Sequence, residues 1–363
     1  MSRYRALEIG ELKAAYPVIQ GGMGVGISLS SLAGNVAKAG GIGLISTAQI
    51  GFREPDFYQN PKAANLRAMK TEMKKARSIA PDGIIGFNIM SVTRDYPDYV
   101  KTAVAIGADI IVSGAGLPIK LPEYTAQSKV KIAPIVSSPK SALVICKMWD
   151  RKYARVPDFL IVEGPLAGGH LGFSLEELVR FHADSAEIHA FAQNQYDQEI
   201  LGILQIAREY GKKYRQYIPV ISAGGIFSRE DMEHHMALGA DGVQLGTRFV
   251  TTQECDAPSA YKEAYLKAEE KDIVLVKSPV GMPGRAIFNS FLKKIQESPE
   301  KITHCFHCLE HCNPASAPYC ITMALIRAAQ GQIEDALLFC GSNAAQCRKI
   351  ERVEQVIKDL CES

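Results

Sequence analysis

Eight short, largely apolar runs follow one another along the first 250 residues, each separated from the next by a longer amphipathic stretch. The runs are Pro17–Gln20, Gly43–Thr47, Ile84–Asn88, Asp109–Ser113, Ile132–Ser137, Phe159–Glu163, Pro219–Ala223 and Gly242–Gly246. A strand covered by helices on both faces needs apolar side chains on both, so the runs read as parallel strands. The stretches Leu29–Ala39, Pro61–Ile79, Tyr96–Ile106, Lys140–Trp149 and Arg229–Leu238 read as crossover helices. Gly40, Gly107 and Gly239 stand at stop positions after three of them. Gly107-Ala-Asp109 and Gly239-Ala-Asp241 then lead straight from helix into strand. Eight βα units in this length predict an α/β fold, a (β/α)8 TIM barrel. An open doubly wound sheet is the alternative, since sequence does not display closure.

The chain has 363 residues, more than one barrel needs. The expected division is a barrel over 1–250, a helical segment continuing from it over 251–300, and a cysteine-rich helical appendage over 301–363. His182–Tyr217 exceeds one crossover helix and predicts an inserted helix or a lid. With 41 basic and 39 acidic residues, net charge +2, nothing favours nucleic acid as a partner. No apolar run is long enough for a membrane span, and residues 1–10 lack the apolar core of a signal peptide. The expected setting is therefore the cytoplasm, with a small-molecule substrate as partner; a homo-oligomer is compatible with the sequence.

Catalytic groups of such barrels sit on loops after the C-terminal ends of the strands. Those positions are rich here in glycine and polar residues. They read Gln20-Gly-Gly-Met-Gly-Val-Gly26, Asn88, Glu163-Gly-Pro-Leu-Ala-Gly-Gly-His170, Ser222-Ala-Gly-Gly-Ile226 and Gln244-Leu-Gly-Thr-Arg248. Gly224 and Gly225 after strand 7, with Gly246 and Thr247 after strand 8, fit a phosphate site: bare backbone lets amides approach an anion. Ser228 is a candidate N-cap for the helix between these two strands. The plainer reading of each glycine pair is a tight turn. Gly21, Gly22 and Met23 suit a flat ring lying against the chain; no Lys-Ser/Thr follows, so this is no P-loop. His170, held between glycines and the following loop, is the candidate for proton transfer. Glu163 could accept a hydrogen bond from a ligand or brace its loop. His234-His235 falls on a helix away from the strand ends and reads as surface.

Together these stretches resemble the nitronate monooxygenase (2-nitropropane dioxygenase-like) family of FMN barrels, which also includes flavin-dependent enoyl-ACP reductases and NADH:quinone reductases. The resemblance is carried by Pro17-Val-Ile-Gln-Gly-Gly-Met-Gly24, Gly86-Phe-Asn88, the loop ending in His170, Ala223-Gly-Gly-Ile226 and Gln244-Leu-Gly-Thr-Arg-Phe249. It implies FMN at the barrel mouth. Gly21, Gly22 and Met23 would lie along the ring, and Asn88, Glu163, Gly168, Gly169, Ala223 and Gln244 beside the flavin or its ribityl chain. Gly224, Gly225, Gly246 and Thr247 would hold the phosphate, and His170 would be catalytic. Glu163 stands where monooxygenase members often carry Gln, and Pro165-Leu166 is also a departure.

Nine cysteines are unevenly placed, seven of them beyond residue 300. The tail reads His304-Cys-Phe-His-Cys-Leu-Glu-His-Cys-Asn-Pro-Ala-Ser-Ala-Pro-Tyr-Cys320, with His304, His307 and His311 interleaved. Cys305, Cys308, Cys312 and Cys320 match the ligand count of a [4Fe–4S] cluster. Their spacing resembles the start of cluster motifs in other flavin barrels that reduce enoyl thioesters. A zinc site and free packing thiols are the alternatives. Cys340, Cys347 and Cys361 lack ligand spacing. Three functions follow: an FMN oxidoreductase oxidising a nitronate with O2, an NAD(P)H-dependent flavin reductase of an activated alkene or quinone, or a non-catalytic flavin- or metal-binding protein.

Overall fold

The structure is a computed structural model that describes residues 3–184, 191–310 and 312–362. The eight apolar runs form eight parallel strands. They are β1 Val18–Gln20, β2 Ile42–Ser46, β3 Ile84–Met90, β4 Ile110–Gly114, β5 Lys131–Val136, β6 Leu160–Glu163, β7 Val220–Ala223 and β8 Gly242–Leu245. They close into a barrel, with β8 paired to β1 so that Val243 lies opposite Val18 and Leu245 opposite Gln20. Closure removes the open-sheet alternative.

The Gly-Ala-Asp junctions show how the helices are joined to the barrel. Gly107 and Gly239 end their helices at φ 77° and 108°. Asp109 donates its N–H to Ile85 O at 3.0 Å while its carboxylate accepts the Ile85 N–H at 2.8 Å. Asp241 makes the same pair with Val220, and Asp158, just before β6, with Ile132. Each carboxylate satisfies a backbone amide at the first or second residue of a strand. Ile19, Leu44, Val112, Ile161 and Ile221 fill the barrel interior, and Leu7, Ile9 and Ala14 join that core from the hairpin Leu7–Ile9/Leu12–Ala14. The hairpin supplies apolar side chains to one end of the interior, leaving the loops after the strands to build a site.

The fold bears on two local expectations and overturns the second. A single helix, Gln193–Tyr214, accounts for most of the segment in which an inserted helix or lid was expected, and residues 185–190 lie outside the described residues. His235 is not on the surface: it is 7% exposed and its Nδ1 bonds Ser222 Oγ at 2.9 Å, whereas His234 is partly exposed and pairs with Asp197.

Beyond Thr251 the chain is helical in part, through Ser259–Lys267, Ser290–Glu297, Ile321–Ala329 and Val353–Cys361. It also contains an element that the sequence reading passed over. Strand Ile273–Lys277 pairs antiparallel with Pro283–Ile287, and the latter pairs with Gly169–His170 on the loop after β6. The tail returns to the barrel at Asp256 too. Helix Ser30–Lys38 begins at Leu29 without a side-chain cap of its own, and the Asp256 carboxylate accepts the amides of Leu29, Ser31 and Leu32 instead. Among the described residues no helix is long and apolar enough to cross a membrane.

Candidate active site

The C-terminal mouth of the barrel encloses a cavity, and all fourteen residues expected at cofactor or catalytic positions line it. Gly21, Gly22 and Met23 come from the loop after β1, and Asn88 from within β3. Glu163, Gly168, Gly169 and His170 come from the end of β6 and its loop. Ala223, Gly224 and Gly225 follow along β7, and Gln244, Gly246 and Thr247 along β8. Gln20, one residue before the first glycine run, has a supporting role: its amide exchanges two hydrogen bonds of 3.1 Å with the backbone of Leu44 on β2.

Gly224 and Gly225 have φ of 90° and 83°, where a side chain would be strained, so the turn after β7 depends on them. The helix that follows, Arg229–Leu238, starts at Ser228 as expected. Ser228 Oγ accepts the Asp231 N–H at 3.2 Å, and the Asp231 carboxylate accepts the Ser228 N–H at 2.8 Å. Glycine turns from two neighbouring strands thus converge on one end of the cavity. That arrangement is suited to an anion. On β8 itself, Gln244 Oε1 is buried with no hydrogen-bond partner among the described residues. A buried orphan acceptor is costly, and it marks a place where a ligand would supply the donor.

Glu163 and His170 both face this space. Burial pushes the Glu163 carboxyl up to about 7, so near neutral pH it is poised to donate as well as accept. Burial pushes His170 down to about 4, so its imidazole is neutral. His170 Nε2 lies 2.8 Å from Ser278 Oγ, and its ring meets Phe339 edge-on at 4.9 Å. Arg285, 2% exposed, donates to the carbonyls of Pro165 at 2.9 Å, Ala167 at 2.6 Å and Ala183 at 2.5 Å. It therefore holds the loop that carries His170, with its own pKa lowered to about 10 by burial.

Residues 339–343 were missed by the sequence reading although they form part of the cavity wall. Gly341 N–H donates to Thr247 Oγ1 at 3.1 Å, Ser342 donates from N and Oγ to Leu166 O, and Asn343 Nδ2 donates to Gly225 O at 2.6 Å. The tail thus clamps the loops after β6, β7 and β8 together. Its only local signal was a small polar Gly-Ser-Asn step after an apolar run.

The cysteine motif keeps its members together: the Cys308, Cys312 and Cys320 thiols lie within electrostatic reach of one another, and Cys312 and Cys320 within reach of Cys305. Among the described residues no three of the His, Cys, Asp and Glu side chains are placed as ligands of one metal ion, and His311 lies outside the described residues. Cys305, Cys308, Cys312 and Cys320 are all free thiols. Leu309 bridges to Thr93 and the Arg94 N–H donates to Cys308 O, which pins Cys308 against the cavity, where it is a lining residue. Cys320 starts helix Ile321–Ala329, and Cys305 Sγ accepts the His307 N–H. Cys340, Cys347 and Cys361 are buried.

The barrel carries at its C-terminal mouth a cavity lined by glycine turns and a neutral histidine, and the chain is an oxidoreductase of the nitronate monooxygenase family: the family model for nitronate monooxygenase matches residues 6–363. A probable nitronate monooxygenase of Staphylococcus saprophyticus is 25% identical over 314 residues, covering 81% of each chain. FabK from Thermotoga maritima superposes with a TM-score of 0.70 at 27% identity, covering 96% of this chain and 92% of that one. A nitroalkane oxidase from Streptomyces ansochromogenes shares the fold, with a TM-score of 0.66 at 20% identity, covering 96% and 95%.

Proposed function

We propose that this chain is an FMN-dependent oxidoreductase that oxidises a small nitronate or nitroalkane-like molecule with O2. The observation that carries the reading is the placement of neutral His170 on the same cavity wall as the glycine turns of β7 and β8 and the orphaned Gln244 acceptor. Gly21, Gly22 and Met23 would lie along the flavin ring, with Asn88, Glu163, Gly168, Gly169, Ala223 and Gln244 beside the ring and ribityl chain. Gly224, Gly225, Gly246 and Thr247 would hold the phosphate. Thr247 Oγ1 already accepts the Gly341 amide, which leaves its hydroxyl proton to donate. Bound FMN supplies two-electron transfer. His170 holds or moves the proton at the substrate oxygen.

A second reading is reduction of an activated alkene or a quinone, with NAD(P)H as the electron source. It is favoured by the apolar cavity wall of Val280, Leu309, Ile321, Leu325 and Phe339, which offers more cover than a small nitronate requires, and by the acidic residue at Glu163. Anaerobic stopped-flow mixing separates the two. Bleaching of the flavin by a nitronate, with inertness to NADH and NADPH, supports the first reading. Rapid bleaching by either nicotinamide supports the second.

A further inference from the structure

We propose that Ser278 sets the tautomer of His170, so that the resting site presents an N–H on Nδ1 and meets the substrate as a hydrogen-bond donor rather than as a base. The inference rests on the assignment of His170 to the chemistry made above. Ser278 opens the turn between strands Ile273–Lys277 and Pro283–Ile287, and Gly284 on the second strand pairs with His170 itself. The serine and the histidine are therefore carried on one small sheet.

Counting protons in this corner decides the tautomer. Ser278 is 2% exposed, its Oγ lies 2.8 Å from His170 Nε2, and the same oxygen accepts the Val280 N–H at 3.3 Å. A hydroxyl has one proton to give. If Nε2 carried a hydrogen, Oγ would receive two N–H donors, and its own proton would have no acceptor among the described residues in a place closed to water. If Nε2 is bare, the hydroxyl donates to it, Val280 donates to the hydroxyl, and every group is satisfied. The ring hydrogen then sits on Nδ1, which has no protein partner among the described residues.

Neighbouring charges do not overturn this. Burial alone accounts for the low basicity of His170. Arg285 on the paired strand directs its guanidinium to Pro165, Ala167 and Ala183, Lys277 is exposed, and the facing element presents Phe339. A neutral donor of this kind suits a substrate that arrives with an acceptor oxygen already formed, such as a nitronate anion or a conjugated carbonyl. It does not suit a neutral nitroalkane that must first lose a carbon-bound proton.

The test uses the full-length protein with 15N-labelled histidine, the His170 signal being assigned by its loss in His170→Asn. The expected spectrum shows a protonated Nδ1 and a bare Nε2. In Ser278→Ala the protonated nitrogen changes or the two tautomers mix, and Ser278→Thr, which keeps the hydroxyl, restores the original state. In turnover, Ser278→Ala lowers kcat/KM for preformed ethyl nitronate about tenfold without lowering that for neutral nitroethane. A protonated Nε2 in the parent protein, or an unchanged tautomer in Ser278→Ala, overturns the proposal. So does an equal loss on both substrates. If neither nitro compound is turned over, the function proposed above fails, while the NMR arm still decides the role of Ser278.

Discussion

Gly168→Ala tests whether the C-terminal tail is part of the cofactor site. The substitution adds one methyl group, and its position follows from the backbone: 2.5 Å from Cys340 C, 2.6 Å from Gly341 N and 2.7 Å from Cys340 O. Ordinary contact begins near 3.4 Å, so the tail must retreat by about 0.9 Å at that point. Both sides of the clash are backbone, and no rotamer change relieves it. The retreat strains the bonds from Gly341 to Thr247, from Ser342 to Leu166 and from Asn343 to Gly225. Overpacking of this kind costs about 1–3 kcal/mol. Because the affected bonds run to the turns after β6, β7 and β8, most of that cost should appear in ligand binding rather than in the barrel. The expected outcome is FMN affinity weakened about 10- to 100-fold, with far-UV circular dichroism unchanged and a smaller thermal shift on adding FMN. Titration by flavin fluorescence quenching measures it. Unchanged FMN affinity would refute the argument that the tail clamps the phosphate end.

Three further outcomes follow from the site. His170→Ala should bind FMN as the parent does and lose at least about 100-fold in kcat/KM; unchanged turnover would remove His170 from the chemistry. In the ligand-free fold, the Glu163 carboxyl is raised from 4.5 to about 7, so folding favours its protonated form and stability declines as pH climbs through that window. Glu163→Gln should abolish the decline and stabilise the ligand-free protein by up to about 3 kcal/mol above pH ~8, measured as the pH dependence of the urea midpoint; parallel curves for the two proteins would contradict it. Arg285→Ala strands the carbonyls of Pro165, Ala167 and Ala183 and should cost about 2–4 kcal/mol by urea unfolding, whereas a cost under about 1 kcal/mol would mean those carbonyls find other donors.

The barrel strands were legible because their signal is local. Apolar runs such as Ile84–Met90 and Leu160–Glu163 are marked off by glycine, aspartate or a single polar residue where they leave the core. The site residues were legible for the same reason: Asn88, Glu163 and Gln244 are polar residues interrupting apolar strands in their C-terminal halves, and Gly224-Gly225 is a turn no other residue type makes as readily. What escaped depends on pairing across the chain. Ile273–Lys277 and Pro283–Ile287 carry a hairpin pattern, yet their partner, Gly169–His170, is more than 100 residues earlier. Nothing near Ser278 or Arg285 announces a role until that strand docks. Residues 339–343 reach the site through the tail's path over the barrel, and that path is set by distant contacts such as Asp256 with the amides at Leu29 and Leu32. The cysteine motif is local as well: Cys308 stays within electrostatic reach of Cys312 and Cys320, while the bridge between Thr93 and Leu309 holds it at the cavity wall.

The claim at the centre is that the glycine turns after β7 and β8 hold the phosphate of a flavin whose ring lies at the barrel mouth. Titrating flavin-free protein in parallel with FMN and with riboflavin, which lacks the phosphate, tests it most directly. FMN should bind at least about 100-fold more tightly, the worth of one or two charge-assisted hydrogen bonds. Equal affinity for the two, or no binding of either, would contradict it.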